Sequence, residues 1–113
     1  MTCFFCKIAR GDMPTKMAYQ DENICAFHDI NPQAPIHILI IPKKHIATLN
    51  ELQAGDEALV GQLFMAAKNL AAELGFADTG YRAVFNCNAH GGQSVYHIHL
   101  HLLAGRQMIW PPG

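Results

Sequence analysis

The chain has 113 residues, of which half are hydrophobic and 15% are charged, and its formal net charge at pH 7 is −1. These values predict a single domain over residues 1–113, long enough to bury a core and small enough to gain stability from a metal or a partner chain. Because Lys and Arg are neither abundant nor clustered, we expect no nucleic-acid-binding surface. We also expect no membrane segment, since no apolar run approaches ~20 residues, and no secretion signal.

The four cysteines are Cys3, Cys6, Cys25 and Cys87, and their spacing is not typical of an extracellular disulfide framework. We therefore expect a cytoplasmic protein with reduced thiols. In such a compartment the Cys3-x-x-Cys6 pair indicates half a zinc site or a redox pair, with two free, partly buried thiols as the simpler alternative. Because no second pair of this kind exists, histidines would have to complete a tetrahedral zinc site.

The first half of the chain is predicted to form a short helix and three strands. The helix includes residues 7–10 and ends at Gly11, and the strands span residues 17–20, 24–29 and 36–41. The third strand is the most apolar, and Pro42 ends it. Its one polar residue, His37, either lines a site or is a hydrogen-bonded core histidine. His45 lies in the loop beyond Pro42, where a ligand role and simple exposure are equally open.

The second half is predicted to form one long helix and two strands. Asp56 is expected to cap the start of the helix and Gly75 its end. One apolar stripe of the helix packs on the core, at Leu59, Leu63, Ala67, Leu70 and Leu74. Residues 81–87 form a strand that pairs with the next one across a loop at residues 88–92. Strands joined by short turns, with one long helix inserted, give an α+β domain on a mainly antiparallel sheet.

The last predicted strand, residues 95–103, carries three histidines at alternate positions. His97, His99 and His101 therefore share one face, and the apolar residues between them point into the core. Imidazole titrates near neutral pH, attacks as a neutral nucleophile and binds metals. The simpler alternative, an exposed polar strand face, is disfavoured by three histidines in five positions. The outer two lie about 13 Å apart along a strand, so the three are expected to serve neighbouring sites rather than one metal.

A glycine pair precedes this strand. Gly91 and Gly92 permit positive φ and close approach of a ligand, and successive N–H groups in such a turn can bind an anion. Ser94 adds a hydroxyl at the edge. A simple hairpin connection is the alternative, but beside a row of histidines the turn favours a phosphate site next to a nucleophile. At the other end of the chain, Trp110 is followed by two prolines, and this tail would fray unless it docks on a partner subunit.

The segment His97-Ile98-His99-Leu100-His101-Leu102-Leu103 matches the His-φ-His-φ-His-φ-φ motif of the histidine triad (HIT) family. Residues 27–30, 32–35, 41–45, 91–97, 105–108 and 110–113 resemble the Hint branch, the nucleoside phosphoramidases, so the likeness covers almost the whole chain. It implies a HIT-like fold, a five-stranded mainly antiparallel sheet with one long helix and a short N-terminal helix. It also implies a homodimer in which two sheets join into one.

The resemblance further implies an enzyme that hydrolyses the P–N bond of adenosine or guanosine 5′-phosphoramidates, including aminoacyl-type adenylates. The reaction passes through a covalent nucleotidyl-histidine, releases the nucleoside monophosphate and needs no organic cofactor. By position, His99 is the nucleophile, His101 and His37 handle protons and contact phosphate oxygens, and Ser94 assists. Nucleotide-binding positions are Phe5, Ile8, Phe27, His28, Asp29, Ile30, Leu39, Asn86, Gly92, Gln93, Ser94, Val95, His99, His101 and Trp110.

Other members of the wider superfamily carry a Cys-x-x-Cys pair with two histidines as a structural zinc site. This resemblance implies Zn²⁺ held by Cys3, Cys6, His45 and His97, a set that sequence spacing alone does not support. Two other functions stay open. One is a nucleotide-binding interaction protein whose hydrolysis is incidental. The other is a dinucleoside polyphosphate hydrolase, against which Gly92-Gln93-Ser94 and the Trp110-Pro111-Pro112-Gly113 tail favour the Hint branch.

Overall fold

A computed structural model describes residues 3–113 as a five-stranded antiparallel sheet with three α-helices and two short 3₁₀ helices, Leu49–Glu51 and Ala54–Asp56. The α-helices are α1 (Phe4–Ala9), α2 (Glu57–Leu74) and α3 (Asn88–Gly91). The strands are β1 (Met17–Gln20), β2 (Ile24–His28), β3 (Ile36–Pro42), β4 (Arg82–Val84) and β5 (Leu100–Ala104). The strand order is β1-β2-β3-β5-β4. The predicted α+β class, the antiparallel sheet and the pairing of the last two strands are confirmed.

The two faces of the sheet are covered unequally. One face packs its apolar side chains against the long helix α2, and Leu63 and Leu70 of this helix lie among Ile38, Ile40 and Leu100 of the sheet. The other face is covered in part by the six-residue helix α1, whose Phe5 and Ile8 pack on β2 and β3. Because a strand alternates its side chains, the residues between the α2-facing ones project toward α1. This second face holds the functional groups.

Helix α2 has the predicted length and begins directly after Asp56 as predicted, but the Asp56 side chain does not cap it. Asp56 adopts a helical backbone conformation and its side chain makes no cap bond to α2. Instead its carboxylate accepts hydrogen bonds from the Gln53 N–H at 2.9 Å and from the Lys44 ammonium at 2.6 Å. It thereby ties the loop after β3 to the start of the helix. At the other end Gly75, with a φ of 86°, caps the helix as predicted.

The histidine-rich segment forms less strand than predicted. β5 begins at Leu100, and the residues just before it bond to the loop after β3 rather than to a neighbouring strand. Thus the Ile98 N–H donates to the carbonyl of Ile46 at 2.8 Å. β4 is also shorter than the predicted 81–87, and the loop at residues 88–92 contains α3. Within residues 3–113, no helix combines the length and apolar character needed to cross a bilayer.

Gly105 occupies a position that tolerates no side chain. Its φ is +95°, and a Cβ atom would lie 2.8 Å from the Cβ of Pro35. We predict that Gly105→Ala lowers the free energy of unfolding by about 2 kcal/mol, because it adds both backbone strain and a clash. Urea unfolding at a fixed protein concentration measures this change.

The matched control is Gly61→Ala, in the exposed middle of α2, where a Cβ meets nothing within 4 Å. There the same substitution should stabilise the protein by roughly 1 kcal/mol, since alanine is the better helix former. Equal effects at the two positions would contradict the close packing assigned to Gly105.

Candidate active site

A cavity of about 330 Å³ opens between α1 and the sheet. Its walls are mainly apolar and aromatic, and its polar members include two of the three alternating histidines. The lining residues are Phe4, Phe5, Ile8, Pro14, Thr15, Phe27, His28, Asp29, Ile30, Leu39, Ser94, Val95, His99 and His101. An apolar cleft with a few convergent polar groups is the usual form of a small-molecule site.

His99 is held in one tautomer by the backbone. Its Nδ1 lies 2.8 Å from the carbonyl oxygen of His97. Because a carbonyl can only accept, Nδ1 carries the proton and Nε2 carries the lone pair. Burial lowers the pKa of His99 below its usual value, so the ring is neutral at pH 7. His99 therefore presents an unprotonated Nε2, the form in which imidazole attacks an electrophile.

A series of hydrogen bonds links the backbone of Gln33 to His37 and His37 to His101. The backbone N–H of Gln33 donates to Nδ1 of His37 at 3.0 Å, so the proton of the neutral ring is on Nε2. That Nε2 lies 2.9 Å from Nδ1 of His101, which must accept the bond. The proton of His101 is then on its own Nε2. This series of hydrogen bonds makes His101 a hydrogen-bond donor with a fixed direction.

The imidazole rings of His37 and His101 are both neutral at pH 7. Burial lowers the pKa of His101 to about 4, with further contributions from His99 and His37, against a small opposing effect of Asp29. Burial likewise lowers the pKa of His37, more than Asp29 raises it. The 3.5 Å contact between His37 Nε2 and Asp29 Oδ2 is therefore not an ion pair at this pH.

Four potential metal ligands meet behind the cavity. The ligand atoms of Cys3, Cys6, His45 and His97 all lie within 4.8 Å of one another. His97 Nδ1 lies 3.3 Å from Cys3 Sγ, 3.5 Å from Cys6 Sγ and 3.2 Å from His45 Nδ1. A tetrahedral zinc ion bound to two sulfurs and two nitrogens would place such pairs roughly 3.3–3.6 Å apart. The donor set and its spacing fit a metal ion of this type.

The surroundings of this cluster also suit a metal. His97 is fully buried, and its Nε2–H donates to the carbonyl of Pro42 at 2.8 Å, which leaves Nδ1 free to bind a cation. Burial and the neighbouring Cys3 raise the pKa of the Cys6 thiol to about 11. Without a metal this thiol keeps its proton, so metal binding must displace it.

The structure brings together most of the sequence-predicted site residues. Eleven of the predicted nucleotide-binding residues line the cavity, and His37 lies directly behind it on His101. Four do not line the cavity, namely Asn86, Gly92, Gln93 and Trp110. Trp110 is 82% exposed in the single chain. The sequence reasoning missed Phe4, Pro14 and Thr15, which reach the cavity only because α1 and the loop after it fold over the sheet.

The turn at Gly91–Gly92 differs from the expected cradle of free N–H groups. The Gly92 N–H donates to the carbonyl of Ala89, and the Gln93 N–H donates to that of Asn88, so both close the end of α3. Gly92 has a φ of 79° and is the C-cap of this helix. These two N–H groups are therefore occupied within the chain.

Gln93 is buried, and its side-chain amide bonds only to backbone groups. Its Nε2 donates to the carbonyls of Ala47 and Val95 at 2.8 and 3.0 Å, and its Oε1 accepts from the Asn88 N–H at 2.9 Å. It thus joins the loop that follows His45 to the turn that lines the cavity. Gln93 therefore supports both the loop beside the metal-ligand cluster and the turn beside the cavity.

The sheet order, the three alternating histidines and the cavity beside them define a histidine triad protein. A family model described as HIT domain matches residues 10–108, and the chain belongs to this family. It is 49% identical over 104 residues to a purine nucleoside phosphoramidase of Escherichia coli, covering 92% of this chain and 87% of that protein. It is 50% identical over 109 residues to an uncharacterized HIT-like protein of Synechococcus elongatus, covering 96% and 95%.

Comparison with solved structures leads to the same family. A HIT family hydrolase from Legionella pneumophila superposes with a TM-score of 0.97 at 58% identity, covering 99% of this chain and 100% of that one. A histidine triad nucleotide-binding protein from Candida albicans gives a TM-score of 0.81 at 31% identity, covering 89% and 73%. The chain is therefore a hydrolase of the HIT family, as its sequence predicted.

The low pKa of His101 leads to a pH dependence of stability. In the unfolded chain its pKa returns toward 6.5, whereas in the folded chain it is about 4. Between these values the unfolded state binds more protons, so acid destabilises the fold. From about pH 7 to pH 5 we predict that the wild type loses about 2 kcal/mol more unfolding free energy than His101→Gln. Urea titrations at each pH measure this, and parallel losses in the two proteins would contradict the assignment.

Proposed function

We propose that this hydrolase cleaves the P–N bond of purine nucleoside 5′-phosphoramidates and releases the nucleoside monophosphate. Adenosine and guanosine compounds, including aminoacyl-type adenylates, are the expected substrates. The observation that carries the proposal is the tautomer of His99, which offers a neutral Nε2 at the wall of an apolar cavity. The E. coli relative named as a purine nucleoside phosphoramidase supports the same substrate class.

The cavity suits a nucleoside. Phe5 and Phe27 lie edge to face with ring centroids 5.4 Å apart, and with Ile8 and Leu39 they form an apolar wall for a flat base. Ile30, at the rim, is 93% exposed and gains burial when a base covers it. The Asp29 carboxylate accepts the Asn31 N–H through Oδ1 at 2.8 Å, which leaves lone pairs for the ribose hydroxyls. His28 completes the wall.

The chemistry proceeds by two displacements at phosphorus. In the first, Nε2 of His99 forms a bond to phosphorus as the P–N bond breaks, and the departing amine takes a proton. The exposed hydroxyl of Ser94 supplies that proton and is replenished by water. In the second, the water that gives its proton back to Ser94 attacks phosphorus with its oxygen, the Nε2–P bond breaks, and the monophosphate leaves. Two displacements avoid a single difficult attack by water.

His101 stabilises charge during both steps. Its Nε2–H is a donor, and its low pKa makes it a poor carrier of a second proton. We therefore assign it to a phosphoryl oxygen, where a preorganised donor is worth roughly 10²–10³-fold in rate. Asn86 and the backbone of Val95 are proposed to hold the phosphate and leaving group, whereas the Gly92 N–H, which donates to the carbonyl of Ala89, is not available for that role. Gln93 supports the turn beside the cavity from behind.

Zinc is the proposed occupant of the Cys3, Cys6, His45 and His97 cluster, and its contribution is structural. Four protein ligands close a tetrahedral site and leave no position for substrate. With His97 engaged there, His99 and His101 are left for the nucleotide. The metal site stiffens the backbone on which His99 is mounted.

A cytoplasmic homodimer is the proposed form of the protein. β4 lies at one edge of the sheet and pairs with β5 alone among the strands of residues 3–113, so its outer side offers a pairing surface for a second copy. Such a dimer would extend the sheet across both chains. It would also provide a surface for the exposed Trp110, proposed to reach the leaving-group side of the partner's site.

Two other functions compete with this proposal. A dinucleoside polyphosphate hydrolase would cleave P–O bonds in diadenosine polyphosphates faster than the P–N bond of a fluorogenic adenosine phosphoramidate. Assays of the purified protein with both substrates decide between them, and a preference for the polyphosphates would overturn our proposal. A nucleotide-binding interaction protein would keep its biological effect when His99 is replaced.

His99→Ala is predicted to lower the turnover of an adenosine phosphoramidate by roughly 10³-fold or more, since the covalent route is lost. The affinity for adenosine monophosphate should stay within a few-fold, because the base and ribose contacts remain. Calorimetry and a fluorogenic assay measure the two quantities. His90→Ala is the control, because His90 is the one histidine without an assigned role, and turnover near wild type in His99→Ala would reject the nucleophile.

Protein purified without added zinc is predicted to contain about one zinc per chain. Cys3→Ser should reduce that content and lower the melting temperature, because it removes one of four ligands. Cys87→Ser, which changes a thiol outside the cluster, should change neither. Metal analysis and thermal melting check these outcomes, and a metal-free preparation that melts like the loaded one would discard the structural site.

A further inference from the structure

Arg106 lies on the segment after β5, outside the cavity and the metal-ligand cluster. Its guanidinium nevertheless donates two hydrogen bonds to one backbone carbonyl. Nε and Nη2 both donate to the carbonyl oxygen of Gln33, at 3.2 and 3.0 Å. A guanidinium is a rigid planar fork, so two bonds to one oxygen fix the position of that oxygen. A single ammonium could not impose the same restraint.

Strand pairing explains why these two residues meet. Gln33 lies in the loop before β3 and Arg106 follows β5, and the two strands pair antiparallel with Ile36 opposite Ala104. Both segments therefore leave the sheet at the same end. The lack of a side chain at Gly105 lets them approach closely, since any Cβ there would strike Pro35.

The same Gln33 begins the hydrogen-bonded chain of the active site. Its N–H donates to Nδ1 of His37, which places the His37 proton on Nε2, and this in turn places the His101 proton on Nε2. If the Gln33 N–H moved away, His37 could carry its proton on Nδ1 and accept at Nε2. His101 would then donate through Nδ1 and turn a lone pair, not a proton, toward the phosphoryl oxygen.

We propose that Arg106 is a positioning residue of the hydrolysis, which holds Gln33 in place so that His37 and His101 keep their protons on Nε2. The expected effect on kcat rests on the proposed function, whereas the expected effect on the tautomers of His37 and His101 does not. Arg106 makes no contact with substrate in this scheme. It acts through one loop and two imidazole rings.

The direct test is the protonation pattern of the histidine rings in Arg106→Met, measured by long-range ¹H–¹⁵N correlation spectra of the full chain near neutral pH. In the wild type, His37 and His101 should show an unprotonated Nδ1 and a protonated Nε2. In Arg106→Met, their nitrogen shifts should move toward values averaged between the two tautomers, while those of His99 stay unchanged. His37→Gln and His101→Gln assign the signals.

Arg106→Lys should give intermediate shifts, because an ammonium can replace only part of the fork. Unchanged His99 signals and an unchanged melting temperature would show that Arg106→Met is folded, and Arg106→Lys carries the test if it is not. Lys68→Met, on the exposed side of α2, removes one cation with no contact to the site and should leave all ring signals in place. Unshifted His37 and His101 signals in folded Arg106→Met would overturn the inference, whatever the enzyme's activity.

The kinetic arm separates this inference from the proposed function. We expect kcat for the phosphoramidate to fall about 3- to 10-fold in Arg106→Met, a fraction of the roughly 10²–10³-fold value of a charge-stabilising donor. KM and the affinity for adenosine monophosphate should stay within about twofold, because binding contacts are kept. A loss expressed only in KM would contradict a role in positioning His101. A wild type inactive on the phosphoramidate, together with the expected tautomer shifts in Arg106→Met, would overturn the proposed substrate and still support the control of the His37 and His101 tautomers by Arg106.

Discussion

Three backbone groups decide what the imidazoles of this protein can do. The carbonyl of His97 holds the proton of His99 on Nδ1, the carbonyl of Pro42 holds that of His97 on Nε2, and the N–H of Gln33 holds that of His37 on Nε2. An unpaired buried backbone group costs about 1–3 kcal/mol, so each bond favours one tautomer by roughly 5- to 150-fold. Identical side chains thereby present an unprotonated Nε2 at His99, an unprotonated Nδ1 at His97 and, through His37, a donor at His101.

This division depends on a segment that is not regular strand. The residues before β5 bond to the loop after β3, through the Ile98 N–H and the Gln93 amide. That loop also contains His45. The same hydrogen bonds therefore hold His45 next to His97 and hold His99 at the wall of the cavity. The cluster of potential metal ligands and the cavity therefore both depend on one short stretch of backbone. The Lys44–Asp56 contact fixes the loop from its other side.

The sequence patterns predicted the sheet and the histidine face well, because alternation and turn residues are local signals. The start of β5 was not predictable in the same way, since the partners of residues 95–99 lie some fifty positions earlier in the chain. The prediction that the turn at Gly92 offers free N–H groups to an anion was also wrong. Glycine permits a positive φ both in an anion-binding turn and in a helix C-cap, so the sequence does not distinguish the two. The Cys3, Cys6, His45 and His97 cluster came only from family resemblance, and its spacing required the folded structure.

Helix α1 has six residues, too few to persist alone in water. Its first turn contains two thiols of the metal-ligand cluster, with Cys3 Sγ accepting the Cys6 N–H at 3.3 Å, and its Phe5 and Ile8 form one wall of the cavity. On the proposed function, the wall for the base would therefore depend on the same two thiols that would bind the metal. Loss of the metal or oxidation of Cys3 and Cys6 would then destabilise α1 and lower the affinity of the site for a nucleotide.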